Sequence, residues 1–296
     1  GAASEDGTSP GKAAGLSGGE MTDANSIADH WGRSGLYDVI VSTLKKISKP
    51  LEGLTVEDLA PVDHYHARGF AATVELADRL PILSGQRIVD IGSGLGGPAR
   101  YIAGRFGCHV SGVDITPSFV ETARKLTALL RMEGQVAFEL GDGQKLPFPD
   151  AAFDGGYSQH VTMNVKDREA FFGEACRVLK PGAFFALTEH GLGPKGDPLY
   201  PVPWSEDGSG SYLIPLSETL AIMKSAGFEA FDVEEPGAKY AAGYTKAIET
   251  AEKGPLPPLG LHLLLGDNAL EKTRNSARNM QEGRTHPFQV ICCRPR

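Results

Sequence analysis

Between Arg87 and Ala103 the chain reads RIVDIGSGLGGPARYIA. Gly92, Gly94 and Gly97 form a G-x-G-x-x-G, the pattern of a backbone that lets a phosphate approach a helix N-terminus. Asp90 stands just ahead of them. A carboxylate there opposes a diphosphate and suits a cation. A second acid, Asp114, follows Gly94 by 20 residues, the spacing at which a carboxylate accepts both ribose hydroxyls of an adenosine cofactor. A third, Asp142 in GDGQKLPFPDAAFD, is spaced to accept a hydrogen bond from an adenine amino group.

These residues need a sheet to hold them, and the sequence supplies one. From Gln86 onward, short β-rich runs alternate with helical patterns, as in βαβ units with a parallel sheet. Strands are expected at RIVDI, CHVSGVD, QVAFEL, FDGGYSQ (weakened by its glycines), AFFALTEH, FEAFDVEE and HPFQVICCR. A helix is expected from Pro98 to just before Gly107. Another follows Thr116 as N-cap and Pro117 in the first turn, with Phe119, Val120, Ala123, Leu126, Leu129 and Leu130 on one stripe. DREAFFGEACRVL reads as a helix stopped by Pro181 and Gly182, and Leu216 to Ala226 as one more. Two helical segments stand outside the alternation, residues 23–80 and an insertion at 236–283. Both are placed to cover the carboxyl edge of the sheet, where open α/β sheets bind ligands. The polar, glycine-rich residues 1–22 read as a disordered tail ahead of one domain, 23–296.

Composition narrows the classes. The chain has 296 residues, 41% of them apolar, and a formal charge of −8, which disfavours nucleic acid as a partner. No apolar run approaches the ~18 residues of a membrane span. Cys108, Cys176, Cys292 and Cys293 make no C-x-x-C and read as reduced thiols of a cytoplasmic protein, with no metal site.

A cation-bearing adenosine ligand fits the three acids better than a dinucleotide does. S-adenosylmethionine (SAM) is one, with a sulfonium and an ammonium against one carboxylate; Gly92, Gly94 and Gly96 would then let the backbone pass close to its methionine part. The ordered set Asp90–Gly96, Asp114, Asp142, LPFPDAAFD and RVLKPGAFFAL resembles the class I SAM-dependent methyltransferases over roughly Arg87 to His190. That resemblance implies a Rossmann-like, doubly wound α/β sheet of seven strands, the last antiparallel. It also implies Asp90 near the methionine end, Asp114 on the ribose, and Asp142 facing adenine, flanked by Ile115, Gly143 and Gln144.

GSGLGGPARYIA, GVDITPSFVETARKLT, YSQHVTMNV, YPVPWSEDGSGSYLIP, PLGLHLLLG and ARNMQEGR are similar to a narrower group, the sarcosine/dimethylglycine N-methyltransferases. The resemblance implies methyl transfer from SAM to a small amine by a monomer or homodimer. Gln159 and His160 follow the fourth strand, at the edge where the transferred methyl lies; His160 is the candidate orienting group or general base, and Gln159 a candidate for cofactor contact as well. Asn164 is a weaker companion or a helix cap. DHYHARGF is expected to fold over the cofactor, with Tyr65 and Arg68 toward its methionine part and His66 toward the acceptor. His64 and His66, two apart on a helix, do not share a face as metal ligands do. Tyr200 and Trp204 are candidate acceptor-pocket walls, and Arg278, ahead of Arg284, the candidate clamp for an acceptor carboxylate. Three alternatives remain: C- or O-methylation of a larger apolar metabolite, an NAD-dependent oxidoreductase, and a SAM-binding sensor without activity.

Overall fold

Buried Val, Ile and Phe side chains mark the strands, and a computed structural model of the protein describes residues 23–296. The segment expected to be a tail, 1–22, lies outside the described residues. Among those described, the strands are β1 (Arg87–Ile91), β2 (His109–Asp114), β3 (Val136–Leu140), β4 (Phe153–Gln159), β5 (Leu179–Leu192), β6 (Glu229–Glu234) and β7 (Thr285–Cys293). They form one sheet ordered β3-β2-β1-β4-β5-β7-β6. Strands β1 to β5 run parallel, and β7 enters antiparallel between β5 and β6. This is the seven-stranded, Rossmann-like architecture expected from the sequence. The order reverses between β1 and β4, which opens a crevice at their carboxyl ends.

Helices α5 (Gly97–Phe106), α6 (Pro117–Leu129), α7 (Arg168–Val178) and α8 (Leu216–Ser225) flank the sheet. Two main apolar clusters cover its faces, one around Phe153, Phe171, Phe172 and Phe185, the other around Ile88, Ile102, Val110 and Phe138. Gly155 in β4 faces the Phe184 ring so closely that an added Cβ would lie 2.1 Å from it. The glycines that weaken β4 as a sequence signal are thus what lets β5 pack beside it. Pro181 and Gly182 do not stop α7. That helix ends at Val178, and β5 begins at Leu179, ahead of the proline, with a register shift where the two residues pass. At α6, Thr116 makes no side-chain cap; its N–H donates to Asp114 Oδ1 at 2.9 Å, so the strand-end acid serves the turn.

Ahead of β1 lie α1 (Asp23–Trp31), α2 (Leu36–Lys46), α3 (Val56–Asp63) and α4 (Gly69–Arg79). The segment between β6 and β7 holds α9 (Gly237–Lys253), α10 (His262–Leu265) and α11 (Ala269–Gln281). The first of these segments is fastened to the sheet by a fully buried ion pair. Arg100 Nη2 of α5 donates to Asp63 Oδ2 at 2.9 Å and to the Leu95 carbonyl at 2.6 Å, while His64 Nδ1 meets Asp63 Oδ1 at 2.8 Å. Gly97 accommodates this approach: a Cβ there would stand 2.5 Å from Asp63 oxygens. The last glycine of the G-x-G-x-x-G therefore serves packing of the cover, not a ligand. No helix among the described residues is long and apolar enough to cross a membrane.

Candidate active site

The crevice between β1 and β4 is a cleft of about 120 Å³. Gly92, Gly94, Asp114, Ile115, Asp142, Gly143, Gln144, Gln159, His160 and Asn164 line it together. The loop after β1 turns through glycines with φ of +81°, +52° and +79° at 92, 94 and 96, a region that side chains rarely adopt. Only some of these glycines face open space. A Cβ on Gly92 would meet Val161 at 2.1 Å and one on Gly96 would meet Phe138 at 2.2 Å, whereas nothing lies within 4 Å of one on Gly94.

The acids behave differently from one another. Asp114 Oδ2 accepts from the Gly94 N–H at 2.8 Å, so it braces the loop while its remaining lone pairs stay available. Asp142 Oδ1 accepts from the Gln144 N–H at 2.8 Å, and Gly143 is pressed against the Phe171 ring. Asp90 is almost fully buried below the loop and is not among the cleft-lining residues. Its Oδ2 accepts from Tyr157 Oη at 2.9 Å, and burial pushes its carboxyl up to about 7. In this structure the acid of the glycine motif holds the floor of the cleft.

Gln159 is the clearest sign that the cleft is built for a polar guest. Its side chain is buried, yet neither its Oε1 nor its Nε2 has a partner. Buried amides are ordinarily satisfied, and a polar ligand in the cleft would complete this one. Together with the half-buried Asp114 carboxylate and the bare Gly94 backbone, it gives the donors and acceptors that SAM requires: a carboxylate for ribose hydroxyls, an amide, and close backbone passage. The residues fit the group.

A second space adjoins the first. A cavity of about 350 Å³ is shared among α1, the α3–α4 turn, the β4 and β5 ends, the loop after β5, and the helical insertion. Trp31, Tyr65 and His160 line both spaces. His66 contacts Thr73 Oγ1 through Nε2 at 3.0 Å and stacks on His160 at 5.9 Å between centroids. His160, at the left-handed φ of +56°, shares a 2.8 Å hydrogen bond between its Nε2 and Tyr240 Oη, and its Nδ1 has no partner. His190, at the end of β5, shares a 3.1 Å bond between Nε2 and Tyr244 Oη and stacks on Trp204 at 5.3 Å. Burial keeps these imidazoles neutral: His66 falls to about 3, His190 to about 4, and His160 well below its ordinary value, helped by its two histidine neighbours.

The remaining candidates divide. Trp204 lines the cavity, its Nε1 donating to Ser211 Oγ at 3.0 Å. Arg68 reaches the cavity but spends its guanidinium on both oxygens of Glu75. Asn164 borders the cleft and clasps the loop after β5, donating to the Trp204 and Gly210 carbonyls; Asp167, not Asn164, caps α7. Tyr200 packs in a small cluster with Met163, Val202 and Leu213, outside both linings. Arg278 is 63% exposed, paired with Glu282, and lines neither space.

Trp31, His190, Tyr240 and Tyr244 were not singled out in the sequence. The rule that pointed to His160, a polar residue at a strand's carboxyl end, applies equally to His190. Tyr240 and Tyr244 carry an i, i+4 signal on one helix face. Trp31 carries none.

A family model described as a methyltransferase domain matches residues 89–187. The methyltransferase phqN of Penicillium fellutanum is 38% identical over 170 residues, 55% of this chain and 52% of that protein. The 27-O-demethylrifamycin SV methyltransferase of Amycolatopsis mediterranei is 33% identical over 188 residues, 61% of this chain and 69% of that one. The first curated relatives are longer: the chain spans about half of their own length or less. Geranyl diphosphate C-methyltransferase from Streptomyces coelicolor shares the fold, with a TM-score of 0.69, 19% identity, and coverage of 93% of this chain and 98% of that one. By these matches and by its sheet, the chain belongs to the class I SAM-dependent methyltransferases.

Proposed function

We propose that the protein transfers the methyl group of SAM to a hydroxyl on a largely apolar small metabolite. The observation that carries this reading is the lining of the larger cavity. Its volume of about 350 Å³ falls within the ~300–1,000 Å³ typical of drug-sized ligand sites. Trp31, Tyr65, Met163, Trp204, Leu261 and Leu265 are among its lining residues, and no carboxylate is. Its one guanidinium, Arg68, is already bound to Glu75. A sarcosine or dimethylglycine carboxylate would find no free cation there, and Arg278 is too exposed to serve. The acceptor preference inferred from the narrower resemblance therefore gives way to the apolar alternative.

In this reading Gly94, Asp114, Asp142 and Gln159 hold the cofactor, with Ile115, Gly143 and Gln144 around the purine, and the cofactor supplies an activated methyl carbon. The protein aligns the acceptor oxygen and keeps water out, the two demands of an in-line displacement. A neutral imidazole is able to take a hydroxyl proton, and His160 is the one that borders both spaces with a free nitrogen. The relative acting on demethylrifamycin is consistent with a bulky acceptor.

An amine acceptor is the second reading, favoured by the aromatic faces of Trp204, Tyr65 and Tyr244, which attract a cationic product. The experiment offers labelled SAM with hydroxylated polycyclic compounds, uncharged tertiary amines, sarcosine and dimethylglycine. Label confined to the hydroxylated compounds supports the first reading. Label on sarcosine or dimethylglycine overturns it.

A further inference from the structure

A third cavity, of about 160 Å³, lies behind His160. It is lined by charged groups that the cofactor cleft and acceptor cavity do not use: Glu75, Arg79, Glu234 and Lys239, with Thr188 and Gln289 from the paired strands β5 and β7. Lys239 bridges Glu75 and Glu234, and all three are 37–48% exposed, so this space is open to water. Tyr240 lines it and is itself 3% exposed. Tyr240 thus links two places: it borders the rear cavity, and its hydroxyl meets His160 Nε2 at 2.8 Å. Arg68 holds the ring from above, its Cζ 5.8 Å from the centroid.

A phenol has one proton to give and lone pairs to receive. The 2.8 Å contact with His160 Nε2 fixes the partner of the hydroxyl and leaves the direction of the bond to the imidazole tautomer. A neutral imidazole that takes a proton at Nδ1 carries its own on Nε2, and in that tautomer the phenol oxygen is the acceptor.

We propose that Tyr240 is a positioning residue for the reaction, accepting the Nε2–H of His160 and so leaving the Nδ1 lone pair free toward the acceptor hydroxyl. This rests on the hydroxyl-acceptor reading above. The balance is simple. The acceptor oxygen bonds to the methyl carbon as the carbon–sulfur bond breaks, the sulfonium becoming a neutral thioether. The hydroxyl proton passes to His160 Nδ1, and the resulting imidazolium is steadied by Tyr240 at Nε2 until it returns the proton to solvent. Fixing a tautomer through the distal nitrogen is the general way a neighbour tunes an imidazole.

The test is Tyr240→Phe, which keeps the ring under Arg68 and removes only the hydroxyl. Wild type and variant are assayed with labelled SAM on phenols of one scaffold whose hydroxyls run from un-ionised to fully ionised at the assay pH. The expected result is a fall in kcat of about tenfold or more on the un-ionised phenols. Little loss is expected on the ionised one, with KM and calorimetric SAM affinity unchanged. In wild type, nitrogen NMR of ring-labelled histidine should give His160 as the Nε2–H tautomer, its signal identified by its absence in His160→Gln, and as a mixture in Tyr240→Phe. Equal loss on every phenol, or no loss on any, overturns the assignment while leaving the function intact. A wild-type enzyme that labels no hydroxyl removes the proposed function, and this inference with it.

Discussion

The cleft and the cavity beside it are built by opposite means. The cleft is made of backbone and short polar side chains on adjacent turns: the Gly92–Gly96 loop, Asp114 bracing Gly94, and Asp142 bonded to the Gln144 amide two residues on. Its polar parts follow one another from Gly92 to Gln159, at successive strand ends, with Trp31 and Tyr65 reaching it from the helices ahead of β1. The cavity is made of large rings from distant segments, Trp31, Tyr65, His160, Trp204 and Tyr244. Each contributes a face, and the hydrogen bonds of His160, Trp204 and Tyr244 go to neighbouring side chains. A site built of backbone tolerates one chemistry closely; a site built of rings sets shape and dryness.

The sharpest break between them lies at His160, which borders both. His160→Ala is expected to lower kcat by roughly 10²–10⁴-fold, the usual range for losing a general base. SAM affinity by calorimetry should move little; a parallel fall would make His160 a cofactor residue. Next, Asp114→Ala should weaken SAM binding by about tenfold to 150-fold, since a hydrogen bond to a charged group contributes roughly 1.5–3 kcal/mol. Acceptor KM should be spared, and an unchanged calorimetric Kd would remove Asp114 from the ribose role.

A smaller effect reads the dryness of the cavity through pH. His66 and His190, lowered by burial to about 3 and about 4, stay neutral in the fold, while in the unfolded chain they take up protons near pH 6.5. Below that pH the unfolded state binds more protons, so stability falls as pH drops from about 6.5 toward 4. Asp90, raised to about 7, works in the opposite sense, weakening the fold as pH rises from about 4 toward 7. Denaturant midpoints from pH 7 to pH 5 should therefore decline less steeply for His190→Phe than for wild type. Equal slopes would mean that His190 is hydrated. Smallest of all, Arg278→Ala should change acceptor KM less than about twofold, because an exposed, salt-bridged side chain contributes little. A large rise would restore the carboxylate clamp and, with it, the amino-acid acceptor.

How legible each region was follows from the same contrast. Local rules reach local structures: strand edges, glycine turns and acid spacings are fixed by residues that neighbour one another in the chain, while seven strands with the last antiparallel were expected from the family resemblance. His160 and Trp204 were found because a strand end and an aromatic loop have sequence signatures. Tyr240 and Tyr244 were missed because their helix reads as an ordinary amphipathic one until it is laid across β5. Asp90 and Gly97 show the reverse failure. Both belong to a recognisable motif, yet one bonds Tyr157, 67 residues away, and the other makes room for Asp63, 97 − 63 = 34 residues away. A motif fixes spacing; it does not fix which side of the loop each member faces.

The antiparallel entry of β7 has a consequence for how such a chain can change. The chain leaves the sheet at the end of β6 and returns on the neighbouring strand, where Glu234 sits opposite Gln289. Topologically, the whole of α9, α10 and α11 is then a loop whose ends are already stapled together. Enlarging such a loop costs closure entropy that grows only logarithmically with its length. The segment behaves as a cassette: its residues can be exchanged, lengthened or trimmed without re-registering any strand that carries the cleft. What the cavity admits is free to drift while what the cleft holds stays fixed.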